Sequence, residues 1–236
     1  MSSPKIILYT NHLCPSGVGA HRAHIALAEL GLAFEEEIID LSVPRTPEYL
    51  KINPRGLVPS ISYNGEIITE SGIVAQFLAD AHPSKLLPTS SEDGGALRRA
   101  RINFFADTFI SKAFPLWVKG YSVSDEEQDK LGEEFVALVV KELEPLLSDA
   151  KPFFGGSESL TLAEVLTGSF VIRILTLPEH GLLSKSYISS LPQKAPNFHK
   201  WAQAVAAHPS VTGIYDVDRI VTATKNRIAR AKAQNN

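Results

Sequence analysis

Glu70-Ser71 opens an apolar run with helical spacing. A serine at a helix N-terminus offers its hydroxyl and the free backbone N–H groups of the first turn to a carboxylate. Glu70 beside it can pair with an amine. The plainer alternative is an N-cap serine with an acid favoured by the helix dipole. Upstream lies Asn53-Pro54-Arg55-Gly56-Leu57-Val58-Pro59-Ser60-Ile61. Asn53-Pro54 initiates a turn, and Gly56 can supply a positive φ. Pro59 at the start of a strand cannot donate to the ladder. If the Val58-Pro59 bond is cis, Val58 turns its own N–H and C=O out of the sheet, and an extended peptide can pair with them as an added strand. Near the N-terminus, Asn11, His12, Cys14 and Ser16 crowd one glycine-rich loop that ends with Gly17-Val18-Gly19. Cys14 reads either as a thiol nucleophile or as a small buried hydrophobe.

The elements that must position these residues follow from periodicity. Lys5 to Thr10 is a short apolar run and reads as a buried strand. Ala20, Ala23, Leu27 and Leu30 recur at helical spacing, and Gly31 stops that helix. Phe34 to Ile39 reads as a second strand and Glu48 to Ile52 as a short helix. Asn64-Gly65 turns a hairpin. Ser71 caps a helix to about Ala81. The order β-α-β-α-β-β-α, about 80 residues long, is that of a thioredoxin-like α/β domain.

After His82-Pro83 the pattern changes, and no strand of comparable quality follows. Leu97, Arg101, Phe104, Thr108 and Phe109 share a helical face, with Phe114 and Trp117 beyond. Leu131, Phe135, Leu138, Glu142, Leu143 and Leu146 define a second long helix, in which Pro145 marks a kink or a last turn. Thr161 and Glu164 form a capping box, with Leu160 stapled to Val165. That helix runs to about Thr176, and Pro178 ends it. Pro196 to Ala207 and Val217 to Ala233 complete an all-α half. The expected division is 1–83 for the α/β domain, 84–95 for a linker and 96–236 for the helical domain. His21 and His24 are expected to pack the domains together, and no metal is expected.

A net charge of −3 suggests neither a nucleic-acid nor a membrane partner. The basic run from Lys225 to Lys232 reads as a solvated helix end. A single cysteine permits no intrachain disulfide and fits a reducing compartment. With no signal peptide and no bilayer-length apolar run, a cytoplasmic protein is expected.

The stretch from Asn53 to Ile61 followed by Glu70-Ser71, set against an NPxGxVPxL…(E/D)S pattern, resembles the glutathione-binding half of the soluble glutathione transferases. Leu13-Cys14-Pro15 … Ala20-His21-Arg22-Ala23-His24-Ile25-Ala26-Leu27 resembles the fungal, omega-like branch, with an altered Cys-Pro loop. The resemblance covers most of the chain and implies the glutathione transferase fold, an α/β thioredoxin-like domain followed by an all-α helical bundle.

The resemblance also implies a set of roles in binding glutathione. Ser71 takes the γ-glutamyl carboxylate, Glu70 the amine, and Val58 the cysteinyl backbone, with Pro59 holding its geometry. Arg45, thirteen residues before Val58, takes the glycyl carboxylate, while Arg55 is a weaker candidate, expected to be solvated. Relatives of this branch place the cysteine directly before the first helix. Aligned on Arg22, this chain carries three extra residues, so Gly17 takes that position and Cys14 is pushed away. Three readings of thiol activation stay open: Cys14 as the nucleophile, Ser16 as a donor to the glutathione thiolate, or backbone N–H groups of the loop. Asn11 and His12 are within reach of the same thiol.

The implied activity is addition of glutathione to a small hydrophobic electrophile, in fungal detoxification or secondary-metabolite biosynthesis. The alternatives are a glutathione-dependent cis–trans isomerase, a Cys14-based thiol oxidoreductase and a non-catalytic binding module. Phe104, Phe105, Thr108, Trp117 and Tyr121 are candidates for the wall of the electrophile site, with most of them expected to be core instead. A homodimer is the family habit.

Overall fold

The computed structural model of the protein describes residues 3–12 and 18–234. Cys14, Ser16 and Gly17 lie outside the described residues. The first part comprises β1 (Ile6–Thr10), α1 (Val18–Glu29), β2 (Glu35–Ile38), α2 (Pro47–Ile52), β3 (Ser60–Tyr63), β4 (Glu66–Thr69) and α3 (Ser71–Ala81). The described strands form one mixed sheet in the order β2-β1-β3-β4, with β1 and β2 parallel and the other pairs antiparallel.

Strand alternation explains how this sheet is covered. Ile6, Leu8 and Thr10 of β1 are buried on the face that carries α1 and α3. Ile7 and Tyr9 point the other way, where Tyr9 clusters with Ile39 and Tyr49 under α2. β2 is an edge strand reading Glu-Glu-Glu-Ile, and charge on an exposed edge discourages further pairing. Its ladder sets Glu36 opposite Leu8, so Glu36 faces the α1 side. Asn64 and Gly65 both take positive φ, 52° and 94°, as a two-residue hairpin turn requires.

The second part is helical: α4 (Gly95–Thr108), α5 (Phe114–Lys119), α6 (Asp125–Leu138), α7 (Leu162–Glu179), α8 (Leu191–Lys194), α9 (Pro196–Ala207), α10 (Pro209–Thr212) and α11 (Val217–Gln234). Two π-helical stretches, Phe109–Ala113 and Val139–Leu143, interrupt the long helical runs. Each is followed within two residues by a proline, Pro115 or Pro145. A proline lacks the N–H for the i−4 carbonyl, and its ring clashes there, so the preceding turn widens. Of the two expectations for Pro145, the structure matches the last turn: Pro145 lies at the start of the 3-10 turn Glu144–Leu147 that closes this helical run.

α7 is the central post, packing on α1, α3, α4 and α9. A Cβ on Gly168 would stand 3.2 Å from Val205 and 3.3 Å from Val211, so the helices cross closely there. Pro178 does not end this helix. α7 continues to Glu179, and Gly181 at φ 66° closes it as Leu182 N–H donates to the Leu177 carbonyl at 3.0 Å. One missing N–H in a last turn costs little when the rest of the helix is packed. Most of the candidates for the wall of the electrophile site are core residues, as expected for most of them. Phe105, Thr108, Trp117 and Tyr121 are all buried in the core, while Phe104 is 58 % exposed. Helical periodicity alone does not separate the inner from the outer face of α4. No described helix is long and apolar enough to cross a membrane.

Candidate functional site

Glu70 stands just before α3 in a left-handed conformation, φ 68° and ψ 116°, and makes no side-chain capping bond. For a residue with a Cβ this costs about 1–3 kcal/mol, which the surrounding structure must hold in place. Ser71 is the first residue of α3 rather than its cap. Its hydroxyl accepts a hydrogen bond from Arg22 Nη1 at 3.1 Å instead of closing its own helix.

Arg22 is the residue sequence reasoning missed, having served only as an alignment anchor. It is buried on α1. Its Nε donates to the Leu166 carbonyl at 2.7 Å, and its guanidinium lies 4.7 Å over the Phe170 ring. Burial lowers its pKa to about 10, which leaves it charged at neutral pH. Its Nη2 is buried without a hydrogen-bond partner. A fixed positive charge thus sits beside the Ser71 hydroxyl and the α3 N-terminus. The one available signal was an arginine between two histidines in the helical stretch Ala20 to Leu27, whose other residues are apolar.

The Val58–Pro59 peptide bond is cis. The preceding turn is firmly held: Asn53 Nδ2 donates to the Leu57 carbonyl at 2.9 Å and to Ser60 Oγ at 3.1 Å, and the Tyr49 hydroxyl donates to the same carbonyl at 2.5 Å. Gly56 takes φ 64°. The Val58 N–H and C=O pair with no other described residue. A Cβ on Gly19 would stand 3.2 Å from Ser71 Oγ and 3.4 Å from Pro59 Cδ. The first turn of α1 is therefore seated against both Ser71 and Pro59, and only a glycine permits that approach without displacement.

Arg55 and Arg45 stand at the edge of this group in different ways. Arg55 pairs with Glu70 at 2.5 Å across an exposed surface, where such a pair contributes about 0–1 kcal/mol. Arg45 is drawn back onto its own loop. Its Nε donates to the Gly56 carbonyl at 3.0 Å, Nη1 to those of Asp40 and Val43, and Nη2 to that of Leu41 at 3.3 Å. A guanidinium has five N–H groups, so one Nη2 hydrogen is left over from these bonds. Asn11 Nδ2 donates to the Ile39 carbonyl at 2.8 Å, joining the ends of β1 and β2.

Val58, Pro59, Gly19, Ser71 and Arg22 are thus brought together, with Glu70 and Arg55 at their rim. The model for the glutathione S-transferase N-terminal domain matches residues 19–81. A protein of Oryza sativa subsp. indica named as a probable glutathione S-transferase, GSTU1, is 30% identical over 209 residues, 83% of this chain and 87% of that one. The chain belongs to the glutathione S-transferase family. Two further plant members, 31–32% identical, align over 59–60% of their own length. The crystal structure of rice GST1 in complex with glutathione superposes with a TM-score of 0.82 at 24% identity, over 98% of this chain and 99% of that one. That of glutathione transferase Omega 2C from Trametes versicolor gives 0.78 at 27% identity, over 95% and 99%.

In this family member His21 and His24 part company. His21 packs the two parts together, its Nε2 against the Val211 carbonyl at 2.8 Å and its Nδ1 taking Arg173 Nη1 at 3.2 Å. Burial first, then the Arg173 charge, lowers its pKa to about 3, with the Val211 carbonyl acting the other way. His24 instead stays within the first part, bonded to Thr10 Oγ1 at 3.1 Å and lying 3.4 Å from Glu36. Burial and the neighbouring His12 lower it to about 4.

For His21 the sign is clear. The unfolded chain takes up the proton near pH 6.5 and the native state does not until about pH 3, so stability is lost as pH falls through that window. The expected loss from this residue is about 2 kcal/mol between pH 6.5 and 5. Urea unfolding of the wild type and of His21→Asn at both pH values checks it: the decline is smaller by that amount in the variant, and equal declines contradict it.

Proposed function

We propose that this protein is a glutathione transferase that binds glutathione along Val58, Ser71 and Glu70, ionises its thiol and adds the thiolate to a small hydrophobic electrophile. The observation that carries this reading is the meeting of a charged, buried Arg22 with Ser71, next to the Val58 backbone, which pairs with no other described residue. Scaffold proteins have no use for a desolvated cation aimed at an exposed helix start. In this reading Ser71, the α3 N–H groups and the Arg22 charge receive the γ-glutamyl carboxylate. Glu70 exchanges its Arg55 partner for the ligand's amine. Val58 pairs with the cysteinyl backbone, and Arg45 offers its remaining Nη2 hydrogen to the glycyl carboxylate.

The thiol loses its proton to solvent; the sulfur then forms a C–S bond as the electrophile's activated double bond opens, and the resulting carbanion takes a proton back from solvent. Activation falls to groups of the 11–19 segment other than Cys14, with Ser16, the loop N–H groups and Asn11 as candidates. This keeps the fungal, omega-like assignment with an altered Cys-Pro loop. The same thiolate serves a cis–trans isomerase when addition to a conjugated double bond is followed by elimination. We infer a cytoplasmic homodimer as well, divided at 1–83, 84–95 and 96–236. Exposed Leu97 and Phe104, seven residues apart on α4, support a covered face there.

Calorimetric titration with glutathione tests the binding mode. Ser71→Ala removes one hydroxyl donor to a carboxylate and is expected to weaken binding about tenfold, the equivalent of about 1.4 kcal/mol. Unchanged affinity in Ser71→Ala sinks the proposed pose.

A further inference from the structure

A second polar constellation lies on the α1 side of the sheet edge. His12 Nε2 is 3.0 Å from Glu36 Oε2, and His24 Nδ1 is 3.4 Å from Glu36 Oε1. The two imidazole rings stand edge to face with centroids 5.1 Å apart. One ligand atom from each of the three residues falls within 4.8 Å of the others. The sequence hides this grouping. His12 follows β1, His24 sits midway along α1, and Glu36 is the middle of three glutamates, singled out only because strand alternation turns it alone toward α1.

We propose that His12, His24 and Glu36 form a binding site for a divalent transition-metal ion of the zinc type. Ligand atoms placed tetrahedrally about 2.0–2.2 Å from such an ion lie about 3.3–3.5 Å from one another. Each histidine nitrogen lies near that spacing from one oxygen of the Glu36 carboxylate, His12 Nε2 from Oε2 and His24 Nδ1 from Oε1. The three ligand atoms lie within 4.8 Å of one another, and the His12 side chain, 35 % exposed, has room to turn toward the closer spacing. An outer contact is also in place. His24 Nε2 lies 3.1 Å from Thr10 Oγ1, a hydroxyl that can accept its N–H and so leave Nδ1 as the ligating atom.

His12 Nε2 supplies a further sign. This atom is buried and makes no hydrogen bond with any described residue, although a carboxylate oxygen lies 3.0 Å away, so its approach to Glu36 is out of line for a simple donor–acceptor pair. Imidazole and carboxylate ligands suit zinc, copper and nickel better than calcium or magnesium. His12 also lines an open cavity of about 260 Å³ with Tyr215, Asp216 and Arg219, which gives an ion a way in and a place for a bound water.

The test uses the full chain carrying Cys14→Ala, so that no thiol competes as a ligand. Zinc affinity is measured by competition with a chromophoric chelator, and cobalt absorption reports the geometry. His12→Ala and Glu36→Gln are compared with this parent, both side chains being partly exposed and outside the packed core. The expected result is one equivalent of zinc bound by the parent, tetrahedral cobalt bands, and at least a tenfold loss of affinity in each variant. No zinc bound by the parent, or affinity within tenfold of the parent in either variant, overturns the proposal and leaves an ion-paired histidine cluster.

Discussion

Replacing Glu164 with alanine is expected to destabilise the protein by about 4 kcal/mol or more, well beyond the usual effect of a point substitution. Glu164 is fully buried at the start of α7. One carboxylate oxygen accepts from Phe154 N–H at 2.8 Å and Trp201 Nε1–H at 2.7 Å. The other accepts from Thr161 N–H at 2.8 Å and the Thr161 hydroxyl at 2.7 Å. The side chain therefore ties the helix start to the 152–156 turn and to α9. Alanine leaves three buried N–H donors without an acceptor, each costing about 1–3 kcal/mol. The methyl group also leaves a cavity beside the Phe105–Trp201 contact. Glu164→Gln keeps one carbonyl oxygen and is expected to lose about half as much. Urea unfolding midpoints at constant m-value check the ranking. A Glu164→Ala protein within about 1 kcal/mol of the wild type contradicts it.

Arg22→Ala is expected to weaken glutathione binding by about 10–100-fold, or about 1.4–2.8 kcal/mol. A unit charge a few ångströms from a carboxylate in a partly desolvated site supplies energy of that order. The same change removes the donor of the Leu166 carbonyl and uncovers Phe170, so stability falls as well, by about 2–3 kcal/mol. The two effects are separable. Arg22→Lys keeps the charge but cannot bridge Ser71 and Leu166 together. It should recover part of the affinity while remaining less stable than the wild type. Affinity in Arg22→Ala equal to the wild type's, with the protein folded, removes Arg22 from the binding site.

These two residues show what a sequence makes legible. The Thr161–Glu164 capping box is local, its two residues three positions apart, and is readable at once. That the same carboxylate also holds Trp201, 37 residues on, follows only from packing. The Asn64-Gly65 hairpin, the helix from Pro196 to Ala207 and the order of the first seven elements are readable for the same reason: turn chemistry and periodicity are local.

Ser71, Glu70 and the Val58-Pro59 step are readable as a group because the motif is nearly contiguous. Arg22 is not, since its partners lie 49 and 144 residues away. Nor is the inward turn of Arg45, which depends on where the carbonyls of Asp40, Leu41, Val43 and Gly56 point. The cluster of His12, His24 and Glu36 joins three elements and has no linear signature.

The central claim is that the site ionises the thiol of bound glutathione without help from the protein's own cysteine. The measurement that meets it most directly is a titration of thiolate ultraviolet absorbance for glutathione bound to the Cys14→Ala protein. The predicted result is a bound thiol that ionises near neutral pH, well below its free value of about 8.5–9. Glutathione that binds but stays protonated up to its free value contradicts the claim and returns the chemistry to Cys14.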